Sequence, residues 1–433
     1  MYLKQILNKI LLSKRLNLLD KKKETYRKFD QKLDQISTIQ IIKFNNIWHY
    51  ALNNIKFYSD YAAKNNLPKK IKHIDELNNF PIIKKNQLID FFSKNKHYLK
   101  SSIKTGGSSG KPAAFPFNIN DQESTYLRTY LGRSRININP LDKTALVWGH
   151  SHLFEKNFIG NLKYNLRRLK DYQLNIIRLS AYNLSDASID KYIHIIKSTR
   201  VKFLIGYTSC ITKLAERILQ SKDPHKFSHL RSVVITAENI DRYDIEIIEN
   251  AFNCECHIEY GTAESGVLGY SSNIDKLVHF FWDDYIYQTN SSNSLIITSI
   301  YDRYFPLIRY DTEDVVEIKI NSSSHISATK IIGRSNDNLT IEVDSNKVIV
   351  HSELFTHILK SIDEIKDFLI IQKEDVIEIQ YVSEKYTIEE IFFQKLEKEY
   401  KNVNKKLFLF VNTSEVRKIV LPSGKKKWVI VEK

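Results

Sequence analysis

From residue 143 the chain alternates short apolar runs with amphipathic runs of helical length, and this alternation constrains the fold more than any other feature. "KTALVWGH" (143–150) reads as a strand, and "SDASIDKYIHIIKSTR" (185–200) as a helix with Ser185 in the N-cap position. "VKFLIGY" (201–207) is a strand, "TSCITKLAERILQS" (208–221) a helix, and "LRSVVITAEN" (230–239) another buried strand. "DRYDIEIIENAF" (241–252) is helical again and "CHIEYG" (256–261) extended. Strands buried on both faces need no polar alternation, and a parallel pair needs a crossover long enough for a helix. The pattern therefore predicts an α/β fold with mixed, mostly parallel sheets flanked by helices.

The flanks differ in texture. Residues 1–100 show helical patterns and charged turns without an obvious strand. Residues 276–333 turn β-rich, and "SLIITSIYDRYFPLIRYDTEDVVEIKI" (294–320) reads as a meander or small barrel-like subdomain. The last stretch of about 100 residues mixes strands and helices on the scale of a small α+β domain. We place the boundary near Gly333–Asn336, giving a large domain over 1–333 (helical 1–100, sheets 101–275, β-rich 276–333) and a small one over 334–433.

Composition excludes more than it selects. With 42% hydrophobic and 12% aromatic residues the chain is globular, not disordered. The net charge of +15 favours anionic partners, yet Lys, Asn and Ile are abundant throughout, so charge alone picks none. No ribonucleoprotein aromatic motif, zinc spacing or concentrated basic helix accompanies it, and no nucleic-acid partner is expected. Cys210, Cys254 and Cys256 make no disulfide framework, which suits a reducing compartment, and the expected location is the cytoplasm. Cys254, Cys256 and His257 lack a second ligand group at zinc spacing and read as alternating residues on a strand. No run of 18 apolar residues exists to span a membrane. The start of the chain is a basic amphipathic helix with Leu3, Ile6, Leu7, Ile10 and Leu11 on one face. Its expected role is docking on its own domain, with peripheral contact to anionic lipid as the alternative.

The segment "TGGSSGKP" (105–112) raises the functional question. It is not a Walker A loop: Thr105 stands where the first Gly belongs, and Pro112 after Lys111 prevents the helix that motif requires. Gly106-Gly107-Ser108-Ser109-Gly110 also matches G-x-S-x-G, but polar chain precedes it and no helix can follow, so a nucleophile elbow fails too. A flexible loop folding over phosphates fits. Its glycines free backbone N–H groups, the hydroxyls of Thr105, Ser108 and Ser109 donate, and Lys111 adds charge. An ordinary solvent loop would look the same in isolation.

The loop's companions distinguish the two. "TGGSSGKP" resembles the phosphate-binding signature of the adenylate-forming superfamily, which comprises acyl-CoA synthetases, peptide-synthetase adenylation domains and luciferases. In the family's order follow "ITAEN" (235–239), similar to the adenine-contacting segment of the phenylacetate–CoA ligase branch, and "EYGTAES" (259–265), similar to its aromatic-Gly-x-Thr/Ser-Glu motif. "PLIRYDTED" (306–314) resembles the segment ending in the ribose-binding Asp, "GRSNDNL" (333–339) the hinge, and "LPSGKKKW" (421–428) the C-terminal Lys motif. The resemblance covers the chain from about residue 100 to its end, and it leans toward the phenylacetate–CoA ligase-like branch, which includes relatives associated with capsular and surface polysaccharide synthesis.

The resemblance implies ATP-dependent conversion of a small carboxylic acid to an acyl-adenylate, with Mg²⁺, and transfer to CoA, a carrier-protein thiol or an amine. It implies that residues 105–111 hold the β- and γ-phosphates, that Glu264 positions Mg²⁺, and that Asp314 accepts the ribose hydroxyls. Tyr260, Gly261 and Thr262 would line the nucleotide, with Tyr260 against the adenine and Ala237, Glu238 and Asn239 reading its edge. Arg334 would sit on the ribose side of a hinge at Asn336, about which a mobile C-terminal domain rotates, and Lys425 would bridge the substrate carboxylate and the α-phosphate. Trp148, His150, Tyr207 and Ala263 would line the acid pocket, suggesting a partly polar or aromatic acid and not a long fatty chain. The chain departs from the pattern at Asn336, commonly Asp or Lys, and at Glu313, usually Gly. These departures support the alternative of a nucleotide-binding relative without turnover.

Overall fold

The computed structural model describes residues 2–29, 32–104, 114–148, 167–181, 186–221, 227–238, 240, 242–272, 275–320, 326–334, 338–343, 346–351, 355, 359, 362, 364–373, 376–383, 388–399, 411–416 and 429–432. The chain divides into two compact units, Met1–Glu238 with Ile247–Ile331, and Asn239–Glu246 with Ile332–Lys433.

The larger unit begins with helices α1 (Tyr2–Phe29), α2 (Leu33–Asn54), α3 (Lys56–Lys64) and α4 (Lys85–Lys94). A two-stranded antiparallel pair, β1 (Ser102–Lys104) and β2 (Ala114–Pro116), leads to α5 (Ile119–Arg135). Asn118 starts α5 by accepting the N–H groups of Asn120 and Asp121, while the Asp121 carboxylate accepts from the Asn118 N–H. The expected alternation follows: β3 (Thr144–Trp148), β4 (Ile176–Ser180), α6 (Asp186–Ser198), β5 (Phe203–Tyr207), α7 (Thr208–Gln220), β6 (Ser232–Thr236), α8 (Arg242–Phe252) and β7 (Glu255–Thr262). β4, β3, β5, β6 and β7 are parallel neighbours. Every residue of β5 and β6 is buried, which explains the unbroken apolar runs there.

β8 (Gly266–Ser271), β9 (Val278–Phe280), β10 (Tyr285–Thr289), β11 (Ser294–Ser299), β12 (Tyr310–Ile320) and β13 (Ile326–Arg334) supply the β-rich stretch. They join the parallel strands in one 11-stranded sheet of order β10-β11-β12-β13-β9-β8-β7-β6-β5-β3-β4. The barrel-like subdomain expected over 276–333 is thus the antiparallel arm of that sheet. Phe44, Trp48, Phe80 and Phe92 pack with Phe280, Tyr285, Phe305 and Tyr310 in one core of this unit. A second core holds Leu19 and Tyr26 of α1 against Leu131, Ile136, Phe281 and Trp282, so the C-terminal half of α1 docks on its own unit. The side chains of Leu3, Ile6, Leu7, Ile10 and Leu11 lie outside the described residues. Among the described residues no helix is long and apolar enough to cross a membrane.

The smaller unit contains a hairpin, β14 (Asn338–Val343) with β15 (Asn346–His351), and β16 (Ile365–Lys373), β17 (Val376–Ser383), α9 (Glu389–Glu399), β18 (Val411–Glu415) and β19 (Val429–Glu432). Its four-stranded sheet has the order β18-β17-β16-β19. Phe355, Leu359, Phe368, Ile370, Ile377, Ile379 and Phe392 form its own core.

Candidate functional site

Strand register brings the chemistry-bearing residues to one edge of the sheet. Val147 lies opposite Gly206, Tyr207 opposite Thr236, and Thr236 opposite Glu259. Trp148, Tyr207, Ala237 and the Tyr260–Thr262 segment therefore emerge together at the carboxyl ends of parallel strands, where open α/β sheets bind ligands. The Trp148 and Tyr207 rings are 4.6 Å apart between centroids. Ala237 is exposed and turns the chain off β6 with φ +67°, a conformation an L residue rarely adopts. The next residue, Glu238, accepts the Ser209 N–H at 2.7 Å in the first turn of α7, where a helix favours negative charge.

β7 and β8 are joined by the turn Ala263-Glu264-Ser265. Gly261 and Gly266 make it possible. A Cβ on Gly261 would lie 2.4 Å from the Gly266 carbonyl oxygen, and Gly266 itself has φ +70°. The Thr262 and Ser265 hydroxyls are 2.9 Å apart and close the turn. Glu264 is only 3% exposed. Its Oε1 lies 2.8 Å from Lys85 Nζ of α4 and accepts a longer bond, 3.4 Å, from Tyr310 Oη. Two buried guanidiniums hold the backbone of this segment: Arg303 donates to the Glu264 carbonyl at 2.5 Å, and Arg128 donates to the Ser265 and Val267 carbonyls at 2.9 and 2.7 Å.

A second carboxylate meets this segment from β12. Pairing with β11 shifts register between Ser294, opposite Val315, and Ile296, opposite Asp311, so residues 312–314 form a bulge. Within it Glu313 has φ +64°, the left-handed region that favours glycine. The Glu313 N–H donates to Asp311 Oδ1 at 2.9 Å, the Asp314 N–H to Thr312 Oγ1 at 3.2 Å, and Thr312 Oγ1 to the Leu295 carbonyl at 2.9 Å. The bulge turns Asp314 toward β7, where Tyr260 Oη donates to its Oδ2 at 2.7 Å. The departure at Glu313 thus has a backbone meaning: the site needs a left-handed residue, and this chain supplies it with an L side chain at a cost of about 1–2 kcal/mol.

Of the residues singled out in the sequence, the structure groups Trp148 with Tyr207, and Tyr260 with Asp314. It places Ala237, Glu238, Gly261, Thr262, Ala263 and Glu264 along the same sheet edge. Thr105, Gly106, Gly107, Ser108, Ser109, Gly110, Lys111, His150, Asn239, Asn336 and Lys425 lie outside the described residues, as does the side chain of Arg334. Cys256 and His257 occupy adjacent positions on β7. Sequence reasoning missed Lys85, Arg128 and Arg303. "PIIKKNQLID" (81–90) offers Lys85 as one lysine among many, and no local signal marks the arginines.

Mg²⁺ takes hard oxygen ligands and is commonly held by one or two carboxylates together with substrate phosphates. Glu264, a buried carboxylate, fits that chemistry. Among the described residues no cluster of three metal-ligating side chains exists.

With this geometry in place, comparison identifies the fold. The chain has the fold of the adenylate-forming ligases. The solved structure of 2-hydroxyisobutyryl-CoA ligase in its postadenylation state with 2-HIB-AMP superposes with a TM-score of 0.68 at 15% identity, covering 91% of this chain and 89% of that one. ATP-bound MatB from Rhodopseudomonas palustris superposes at 0.51 with 12% identity, covering 76% and 66%. In sequence the chain is 26% identical over 326 residues to protein CapK of Staphylococcus aureus, spanning 69% of this chain and 68% of CapK. It is 26% identical over 128 residues to indoleacetate–lysine synthetase of Pseudomonas savastanoi, spanning 29% of this chain and 32% of that enzyme. No protein-family model matches the chain. The superfamily resemblance carried by the motifs agrees with these relatives and with the fold.

Proposed function

We propose that the protein activates a small carboxylic acid with ATP, forming an acyl-adenylate and pyrophosphate, and passes the acyl group to CoA or to another thiol or amine. The observation that carries this reading is the convergence of Tyr260–Asp314, the Glu264 turn and the Trp148–Tyr207 pair on one sheet edge in a fold shared with adenylate-forming ligases. A carboxylate oxygen attacks the α-phosphorus, and the bond to the pyrophosphate oxygen breaks. Both reactants are anionic, so the protein's task is charge compensation and alignment.

Asp314, oriented by Tyr260, accepts the ribose hydroxyls. Ala237–Asn239 read the adenine edge, with Tyr260, Gly261 and Thr262 beside the nucleotide. Thr105–Lys111 hold the β- and γ-phosphates. Glu264 would hold Mg²⁺, which would neutralise phosphate charge, and Lys85, paired with Glu264, would add a positive charge beside it. Lys425 bridges the acid and the α-phosphate, and residues 334–433 act as a lid turning near Asn336. Trp148, His150, Tyr207 and Ala263 line the acid pocket, and the aromatic pair favours a compact, partly polar or aromatic acid. Because a structural neighbour binds 2-HIB-AMP and CoA, CoA is the acceptor to test first. A role in surface polysaccharide synthesis, in the cytoplasm, is the accompanying proposal.

The test is pyrophosphate release from ATP and Mg²⁺ with pooled small carboxylates and no thiol, comparing wild type with Lys425→Ala. Acid-dependent release that falls about 10²-fold or more in the variant is expected, as for comparable electrostatic donors. ATP binding with no release from any pool would overturn the reading in favour of a nucleotide-binding protein without turnover.

A further inference from the structure

A polar network of the larger unit lies outside the residues proposed above to contact the nucleotide. It begins on α1, where Lys22 Nζ is 2.5 Å from Asp283 Oδ2 and 3.2 Å from Asp284 Oδ1. Tyr26 Oη of the same helix donates to Asp283 Oδ1 at 2.8 Å, and Lys43 of α2 donates to the Asp283 carbonyl at 2.5 Å. Asp284 Oδ2 accepts from Ser124 Oγ and Arg128 Nη1 of α5, both at 2.8 Å. Arg128 also donates to the Ser265 and Val267 carbonyls, within three residues of Glu264, and to the Ser124 and Thr125 hydroxyls of its own helix. A parallel arm runs through Arg303, whose Nε lies 3.3 Å from Asp121 Oδ1 and whose Nη2 holds the Glu264 carbonyl. Tyr285 Oη donates to the Ser265 carbonyl at 2.9 Å.

The fork geometry of arginine makes this more than charge balance. Arg128 presents donors in one rigid plane, so fixing Nη1 on Asp284 fixes where Nε and Nη2 point. Its side chain is fully buried, and so are Glu264 and Ser265 in the turn it grips. Burial alone would push the Asp284 carboxyl up; the charges of Lys22 and then Arg128 outweigh it and hold the group below the usual carboxylate range. Losing the Lys22 ammonium would leave Asp283 and Asp284 side by side in a buried site with less positive charge. One of them would then take up a proton or turn away, and the plane of Arg128 would turn with it.

We propose that the first helix is part of the support of the catalytic turn: Lys22, acting through Asp283, Asp284 and Arg128, is a positioning residue for Glu264. This rests on the reading of the Ala263–Ser265 turn as part of the adenylation site. Ion pairs that only fastened α1 to the domain would not need to share a guanidinium with the backbone of the turn.

The experiment compares the full chain with Lys22→Met and Lys22→Arg in two arms. In the first, amide hydrogen exchange is followed for peptides covering 262–268 and, as an internal reference, 365–383 of the smaller unit. Lys22→Met is expected to raise exchange at 262–268 at least 10-fold and to leave 365–383 unchanged, with Lys22→Arg close to wild type. In the second arm, kcat for acid-dependent pyrophosphate release is expected to fall at least 10-fold in Lys22→Met. The KM for the acid stays within 2-fold, and Lys22→Arg restores kcat. Unchanged exchange at 262–268 would overturn the proposal whatever the activity. So would raised exchange with an unchanged kcat, because α1 would then be an anchor only. A wild-type protein silent in the second arm would refute the reading of the site, while the first arm would still decide whether Lys22 holds the turn.

Discussion

Replacing Gly266 with alanine tests the geometry of the turn in a way that separates two physical costs. The first is conformational. Gly266 has φ +70°, where an L residue is disfavoured by about 1–2 kcal/mol. Part of this is returned because alanine loses less freedom on folding, about 0.4–1 kcal/mol. The second is steric. The new Cβ would lie 2.3 Å from Thr125 Oγ1, 2.9 Å from its Cγ2 and 3.1 Å from its Cβ. Two of the three χ1 positions on Thr125 lie close to the new Cβ and threonine fills two of the three, so every rotamer leaves a branch in contact, α5 or the turn must shift, and overpacking of this kind costs about 1–3 kcal/mol. Gly266→Ala alone should therefore lose about 1–4 kcal/mol of stability. Thr125→Ala removes the offending branch and only a long, 3.3 Å bond from Arg128. In the double variant the steric part should largely vanish while the conformational part persists, a coupling of about 1–3 kcal/mol. The assay is urea unfolding of the four proteins, followed by tryptophan fluorescence at constant m-value. A coupling below about 0.5 kcal/mol, the ordinary error of additivity, would refute the claim that α5 abuts the turn through Thr125.

Two further outcomes follow from the same unit. Tyr260→Phe removes a buried hydrogen bond to a carboxylate and should lower unfolding free energy by about 1.5–3 kcal/mol; an unchanged urea midpoint would sink the Tyr260–Asp314 contact. His257 is fully buried, and among the described residues neither ring nitrogen makes a hydrogen bond, Nε2 lying 3.5 Å from Glu255 Oε2; burial first, then the charge of Lys276, offset partly by Glu249, pushes its pKa down from 6.5 to about 4. Between those values the unfolded chain binds a proton that the folded one does not, so stability falls as pH is lowered through that window. Going from pH 7 to 4.5 should cost roughly 2–3 kcal/mol through this residue. Urea midpoints of His257→Leu should lose that share of the acid sensitivity, and parallel pH profiles for the two proteins would refute it.

What was legible in the sequence is what local chemistry writes there. The parallel strands β5 and β6 announce themselves because burial on both faces leaves no polar position. The candidate turn was legible where one segment carries several constrained residues, as in "EYGTAES", whose Gly261 cannot accept a Cβ and whose Thr262 and Ser265 close the turn on each other. The conformational demand at Glu313 was visible only as a missing glycine. Its cause is the bulge between β11 and β12, a property of two strands together.

The residues that went unseen share a different property. Lys85 meets Glu264 from α4, and Arg128 meets Ser265 from 137 positions earlier in the chain. Lys22 meets Asp283 across 261 positions. Each is an ordinary charged residue in its own segment: Lys22 sits in the basic run "DKKKE", and Arg128 on the polar-looking helix "DQESTYLRTYLGRSR". A charge run usually denotes a solvated face, and nothing within a few residues says otherwise. What separates Lys22 from its neighbours is that the acidic pair "WDD" follows a buried tryptophan and is carried into the interior by it, so that two carboxylates demand cations from whichever helices pack over them. Paired acids inside an apolar strand-to-strand connection are therefore the signal that could have been used. They predict buried basic partners elsewhere in the chain, and in this protein those partners lead from the first helix to the turn that holds Glu264.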